Sequence, residues 1–268
     1  MAKIKLISTY VYLVFKFVLV GLKSAWQYRV SFLIEVLIMF LNDVLLVFIW
    51  VIFFTKFKSI NGWEFKNTLM LFSTFLFAFS FAIIFFPGVL RIAEKISNGK
   101  VDVFLTQPKS VLFRMLTDDF RLSLFGDFLF GVVILFYVAS QYGYSNLFFI
   151  PLAGLFSAWG IVVTAGSFAL FGFWISKFHS AANNFFWTLD APAMYPQNSI
   201  VGGIRVLFFT VAPSLWYISF SYEFVSRHAF NMLGVVILYD VVMTLFMVIV
   251  YRLGIKKYES GNAILTND

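Results

Sequence analysis

The chain has 268 residues, of which 61% are hydrophobic, 21% aromatic and 12% charged, and its net charge is +7. Soluble domains are about one quarter charged and less than about half apolar, so this composition excludes an ordinary soluble domain and indicates a polytopic membrane protein. The sequence has no cysteine, which excludes disulfides, thiolate metal sites and cysteine nucleophiles.

The first segment, residues 1–29, is predicted to form a helix that lies in the headgroup plane. Lys16 interrupts its apolar run and no small-residue cleavage site follows, so it does not resemble a signal peptide. Its basic residues alternate with apolar and aromatic ones, a pattern typical of an interfacial helix.

Six membrane crossings are predicted, because a crossing helix needs about 20 largely apolar residues. Five of them are clear apolar runs: 31–55, 67–87, 118–139, 147–175 and 230–251. The segment 178–226 is interrupted by three prolines and by Asn-Asn and Gly-Gly pairs. It predicts a short polar crossing at about 178–195 and an outer re-entrant hairpin at 196–226, whose backbone must be covered by protein or water.

The basic residues fix the predicted orientation. Fifteen of the 20 Lys and Arg residues fall on the side that holds residues 1–29, residues 91–121, Lys177 and the tail 252–268. Because basic residues accumulate on the cytoplasmic side, both termini are expected to be cytoplasmic. Basic residues at helix ends also explain the net positive charge, so we expect contact with membrane lipids and no nucleic-acid partner.

The polar segment 91–113 separates the second and third crossings and is predicted to dock onto another protein. Residues 91–100 predict a short amphipathic helix that ends at Asn98-Gly99, a pair suited to a left-handed turn. An extended piece should follow and stop before Pro108. We expect Ile92, Ile96 and Val101 to face the bilayer or the protein, and Glu94, Lys95 and Lys100 to face the cytosol. The competing interpretation is an ordinary solvated loop.

Polar side chains inside the crossings usually face protein or water. In the short fifth crossing, Asn183, Asn184, Trp187 and Asp190 are predicted to line a translocation path. Glu35 and Asn42 share one face of the first crossing. For Glu35, Asp127 and Asp240 the favoured interpretation is hydrogen bonding between helices or a position near the interface. The fourth crossing has small residues four apart, which predicts close helix packing within the chain.

Three stretches resemble the membrane subunits of type-2 ABC exporters. The segment that follows the second crossing in that family is similar to KISNGKVDVFLTQPKSVLFRML (95–116) of this chain. The family's tyrosine-proline start of the outer hairpin resembles MYPQNSIVGGIRVLFFTVAPSLWYISF (194–220), and its closing signature resembles RLGIKKYESGNA (252–263). The likeness is greatest to the uncharacterised or drug-efflux permease branch and spans essentially the whole chain.

This resemblance implies an all-α permease domain over residues 1–268 in a bacterial-type cell membrane, with a cytoplasmic coupling helix between crossings two and three. That helix would sit in a cleft of a separate ABC ATPase subunit, present in two copies. A second permease subunit, identical or paralogous, would complete an export path for amphiphilic, drug-like, lipid or peptide cargo. The expected coupling residues are Glu94, Asn98, Gly99, Asp102, Leu105 and Pro108, and the expected hairpin residues are Tyr195, Pro196 and Pro213.

The chain itself is not expected to be an enzyme or to bind a cofactor or metal. Its only Gly-Lys pair, Gly99-Lys100, lacks the glycine-rich phosphate loop, so ATP and magnesium would bind the partner ATPase. One alternative is a secondary transporter or channel, which predicts internal repeats with paired broken helices. Another is a membrane-embedded lipid-modifying enzyme, which needs clustered acids or histidines at one interface.

Overall fold

The computed structural model describes residues 2–107, 109–119 and 124–258, with side chains from Thr9 onward. This part of the chain is helical and has no strand beyond an isolated bridge between Ile60 and Trp63. Its α-helices are α1 Ala2–Gln27, α2 Arg29–Lys56, α3 Phe65–Phe85, α4 Ile92–Ser97, α5 Val101–Leu105, α6 Val111–Thr117, α7 Leu124–Tyr142, α8 Asn146–Ala169, α9 His179–Asp190, α10 Gly202–Thr210, α11 Leu215–Arg227 and α12 Phe230–Gly254.

The prediction of an all-α polytopic membrane protein is confirmed. Six stretches of the described chain are long and apolar enough to cross a membrane, and the α10–α11 pair is a candidate seventh. Five of the predicted crossings coincide with α2, α3, α7, α8 and α12.

The sixth candidate differs from the predicted one. It is the part of α1 from Thr9 to Gln27, whose mean hydropathy of 1.2 is the lowest of the six. The predicted fifth crossing, 178–195, corresponds to α9, which has 12 residues, and a four-residue 3-10 turn after it. At 1.5 Å per residue, α9 alone is too short for a hydrocarbon layer of about 30 Å. The interfacial position of α1 and the crossing by α9 therefore stay predictions.

The centre of the fold is α3, of which 16 of 21 residues are buried. Helices α7, α8 and α11 pack against it, α12 packs on α8 and α11, and α2 packs on α7. A helix that is apolar on all sides is suited to such a central position.

Small residues of α8 allow its neighbours to approach closely, as the spacing predicts. A Cβ atom at Gly154 would lie 2.6 Å from Cβ of Phe77 in α3, and one at Gly160 would lie 2.9 Å from the Tyr217 side chain in α11. Ser157 adds hydrogen bonds to the Tyr217 carbonyl (3.0 Å) and to the Ser221 hydroxyl (2.6 Å). The small face of α8 therefore packs within the chain.

The segment between the predicted fifth and sixth crossings is bent. Helices α10 and α11 meet at 101° across a short break. With nine and 13 residues, neither helix is long enough to span the membrane alone. This bend fits the predicted outer hairpin at 196–226 and also a broken span.

Candidate functional site

The polar segment 91–113, called the hairpin below, contains two short helices, α4 and α5, which are joined by a tight turn at residues 98–100. Helix α4 ends in a Schellman motif: Gly99 has φ +67°, its amide donates to the Ile96 carbonyl (3.2 Å), and the Lys100 amide donates to the Lys95 carbonyl (2.9 Å). The predicted turn at Asn98-Gly99 is confirmed. The extended piece expected next is instead a second short helix, α5, which allows Val101 and Phe104 to be buried together one turn apart.

The turn and the outer face of this hairpin are exposed. Asn98 lies on the surface, and Val103 and Leu105 expose 58% and 50% of their area. Asp102 is half-buried beside Tyr258, which follows α12. Burial and the neighbouring Asp102 carboxylate raise the pKa of Tyr258 to about 12. Pro108 lies outside the described residues, as does the tail from residue 259 onward.

The inner face of the hairpin is held by Lys95, for which the sequence predicts a position facing the cytosol. That expectation is wrong: only 4% of the Lys95 side chain is exposed. Its ammonium group lies 3.0 Å from the Asp118 carboxylate and 3.4 Å from that of Asp119, and donates to the Asp118 carbonyl (3.1 Å). The ring of Phe104 lies 5.6 Å from the same ammonium group. These partners satisfy a charge that burial would otherwise penalise.

Glu94 is also held within the chain. Arg91 donates two hydrogen bonds to its carboxylate (2.8 and 2.9 Å) and a third to Asp119 (3.3 Å). The bidentate pair lowers the pKa of Glu94, and the carboxylates raise the pKa of Arg91. Arg91, Glu94, Lys95, Asp118 and Asp119 form one charge network, which fastens α4 to the chain shortly before α7 begins.

Asp118 and Asp119 are functional candidates that the sequence analysis missed. They were included in the predicted crossing 118–139, whereas α7 is described only from Leu124. An acidic pair at the start of an apolar run, 23 residues after a lysine and 28 after an arginine, is the available signal. This pattern does not show that Lys95 and Arg91 are the partners of the acidic pair, because the contact forms only when the intervening residues have folded.

The hairpin also contacts the chain just after α8 and α12. A Cβ atom at Gly172 would lie 3.4 Å from Cα of Ala93 in α4, and Tyr258 lies beside Asp102. The rings of Phe173 and Tyr258 are 6.0 Å apart. A groove of about 630 Å³ runs between these two rings and the end of α4, where Asn98 lines it.

A second cleft joins the hairpin to α9. It has a volume of about 400 Å³ and contains Glu94 on one wall and Asn183 and Asn184 on the other, with His179 between them. Two predicted groups, one for coupling and one for the translocation path, thus meet at this cleft. Its lining residues are Leu90, Arg91, Glu94, His179, Ser180, Asn183 and Asn184.

The residues predicted to line the translocation path do not lie together on α9. Asn183, Asn184 and Trp187 are exposed, and the Trp187 ring lies 6.1 Å from Phe79. Asp190 is only 4% exposed at the far end of the helix. It lies within electrostatic range of Asp127 and does not line the cleft.

Polar groups of the other crossings also divide into exposed and buried sets. Glu35 and Asn42 are exposed on α2. Asp127 and Asp240 are 7% and 5% exposed. Among the described residues, no group of His, Asp and Glu side chains has the arrangement of a metal site.

The residues predicted for the outer re-entrant hairpin lie at the opposite end of the molecule from the segment 91–113. Tyr195 packs edge-on against Trp50 of α2 (6.3 Å), Pro196 precedes a 3-10 turn, and Pro213 occupies the break between α10 and α11. Asn198 donates to the Asn61 carbonyl (3.0 Å), which ties this region to the α2–α3 loop.

A protein-family model matches most of the chain. The family model described as ABC-2 family transporter protein matches residues 40–262. None of the curated proteins and none of the solved structures compared with the chain matches it.

Proposed function

The chain belongs to the ABC-2 family of transporter proteins and is thus a membrane permease subunit of an ABC transporter, and we propose that its hairpin 91–113 couples it to a separate ATPase. In this proposal two ATPase subunits bind and hydrolyse ATP with magnesium. Their closure moves the hairpin, and the hairpin moves the long helices.

The observation that carries this proposal is the contrast between the two faces of the hairpin. Its inner face is anchored by the buried Lys95 and its charge network, with Phe104 beside the ammonium group, whereas Val103 and Leu105 are exposed on the outer face of α5. Exposed apolar side chains on a polar cytoplasmic segment are suited to a complementary protein cleft. A force applied to the outer face would pass through Lys95 and Arg91 to residues 118–119.

Exposed polar groups on α2 and α9 support a second permease subunit. Glu35, Asn42, Asn183 and Asn184 are exposed in the part of the chain that the structure describes. Polar side chains at membrane depth are costly in lipid, so protein or water must cover them. A second subunit, identical or paralogous, that meets these faces would enclose a polar path, which the cleft at Asn183 and Asn184 would open to the cytosol.

The proposed direction is export and the proposed cargo is amphiphilic: a drug, a lipid or a peptide. The support is the family resemblance and the aromatic, apolar composition. Transport assays in which only small hydrophilic solutes move would contradict this choice of cargo.

The coupling role is tested by co-purification with an ABC ATPase of the same organism. Val103→Asp and Leu105→Asp should each reduce the recovered ATPase at least tenfold, because a carboxylate would be buried in the partner's cleft. Tyr144→Asp is the matched control, since Tyr144 is 75% exposed in the loop between α7 and α8. Unchanged recovery with both hairpin variants would refute the coupling role.

A further inference from the structure

A groove runs between α8 and α12 on the outside of the helix bundle. Its volume is about 470 Å³, which is within the range of small-molecule sites. Leu155, Val241 and Leu245 at its margin are 51%, 52% and 59% exposed. Because both helices are candidate membrane spans, the groove opens toward the hydrocarbon layer.

The floor of this groove contains one acidic side chain, Asp240. The residue is 5% exposed, and neither carboxylate oxygen has a hydrogen-bond partner within the described chain. The other polar side chains of the groove, Thr244 and Trp159, are already engaged, as is the adjacent Tyr239. Thr244 donates to the Asp240 backbone carbonyl (2.6 Å) and accepts from the Trp159 indole (2.9 Å), and Tyr239 pairs with Thr164. Asp240 takes part in none of the ion pairs of the described residues.

Asp240 also lies deep in the membrane. It is ten residues after Phe230, the first residue of the 25-residue α12, so a rise of 1.5 Å per residue puts it about 15 Å from that end. An acidic group at this depth is normally paired with a base or with backbone groups. Among the described residues Asp240 has no such partner, and apart from Thr244 the other residues that line the groove are apolar or aromatic.

We propose that this groove binds a lipophilic cation, a molecule with an apolar body and one positive charge that enters from the bilayer. The apolar body occupies the groove between Leu155, Phe156 and Ile237, and the positive charge lies over Asp240. Trp159 lines the same groove and adds an aromatic wall suited to a cation. The site is separate from the polar face of α9 and does not depend on the proposed coupling to an ATPase.

Tetraphenylphosphonium binding to the purified chain in phosphatidylcholine nanodiscs tests this proposal. Binding should be saturable and at least tenfold weaker for Asp240→Asn. Asp127→Asn removes an equally buried carboxylate outside the groove and should bind as the unmodified chain does. Tetraphenylborate, which has the same shape and the opposite charge, should not compete.

A second variant keeps the Asp240 carboxylate and reduces the volume of the groove. Val241→Trp should fill the groove and weaken binding as Asp240→Asn does, which guards against misfolding of the aspartate variant. Since the chain has no cysteine, Val241→Cys can also be labelled alone with a maleimide, and tetraphenylphosphonium should slow the labelling. Equal binding by Asp240→Asn, competition by tetraphenylborate, or a disulfide cross-link between two copies of the Val241→Cys variant would overturn the proposal.

Discussion

The ammonium group of Lys95 lies 3.0 Å from the carboxylate of Asp118, although only 4% of the lysine side chain is exposed. This contact connects α4, the first helix of the hairpin, to the chain just before α7. In the proposed coupling role, it would transmit a force on Val103 and Leu105 to residues 118–119.

Replacement of Lys95 by methionine should uncouple ATP hydrolysis from transport. The methionine keeps the volume but leaves Asp118 and Asp119 without their lysine, which should destabilise the fold by about 1–3 kcal/mol. We expect the ATPase still to co-purify, because Val103 and Leu105 are unchanged, while transport per ATP falls severalfold. Lys100→Met, at an exposed lysine of the same hairpin, is the control. Equal transport by both variants would show that Lys95 has no relay role.

The Arg91–Glu94 pair predicts a pH-dependent difference between the unmodified chain and Glu94→Gln. The pKa of Glu94 is lowered in the fold, so below its ordinary value of 4.5 the unfolded chain takes up a proton first. The stabilisation is thus present above that pH and lost as the pH falls below it. For this partly exposed pair we expect about 0.5–1 kcal/mol at neutral pH. Thermal unfolding should show a gap between the two proteins at pH 7 that closes in acid.

The left-handed turn at Gly99 predicts that alanine is worse than asparagine at this position. Alanine at φ +67° should cost about 1–2 kcal/mol, whereas asparagine enters this region more readily. The measurement is hydrogen exchange of the amides of residues 92–105. Exchange should be faster in Gly99→Ala than in Gly99→Asn, and equal exchange in the two variants would argue that the turn is not strained.

The contact of α8 with α3 predicts a strong position dependence of added methyl groups. Gly154→Ala should lower stability by about 1–3 kcal/mol, because the new Cβ atom would lie 2.6 Å from Cβ of Phe77. Gly234→Ala in α12 meets nothing within 4 Å and should be neutral or slightly stabilising. Thermal unfolding in the same detergent distinguishes the two. A Gly154→Ala protein as stable as the Gly234→Ala protein would mean that the α8–α3 contact can widen freely.

Local signals in the sequence were sufficient for much of the fold. Apolar runs predicted α2, α3, α8 and α12 because each is long enough to span by itself, and Asn98-Gly99 predicted a turn that depends only on backbone conformation. The prolines after residue 190 predicted the bend of α10 and α11 for the same local reason.

The contacts of the candidate site depend on distant parts of the chain and could not be predicted in this way. Lys95 has the hydropathy of an exposed residue, and its burial follows only once residues 118–119 are beside it. The pairing of the Glu94 carboxylate with Arg91 was also not predicted. Likewise, the unpaired state of Asp240 is visible only when Thr244 and Trp159 are seen to bond elsewhere.

The burial of α3 has a consequence for the assembly of the protein during its synthesis. Because α3 precedes α7, α8 and α11 in the chain, it is made before the helices that cover it. Its side chains must therefore be compatible with lipid first and with protein afterwards, as in insertion followed by helix association. Phenylalanines meet both requirements, while Ser73 and Ser80, both 0% exposed in the finished fold, contribute only small polar groups to the early lipid-exposed stage.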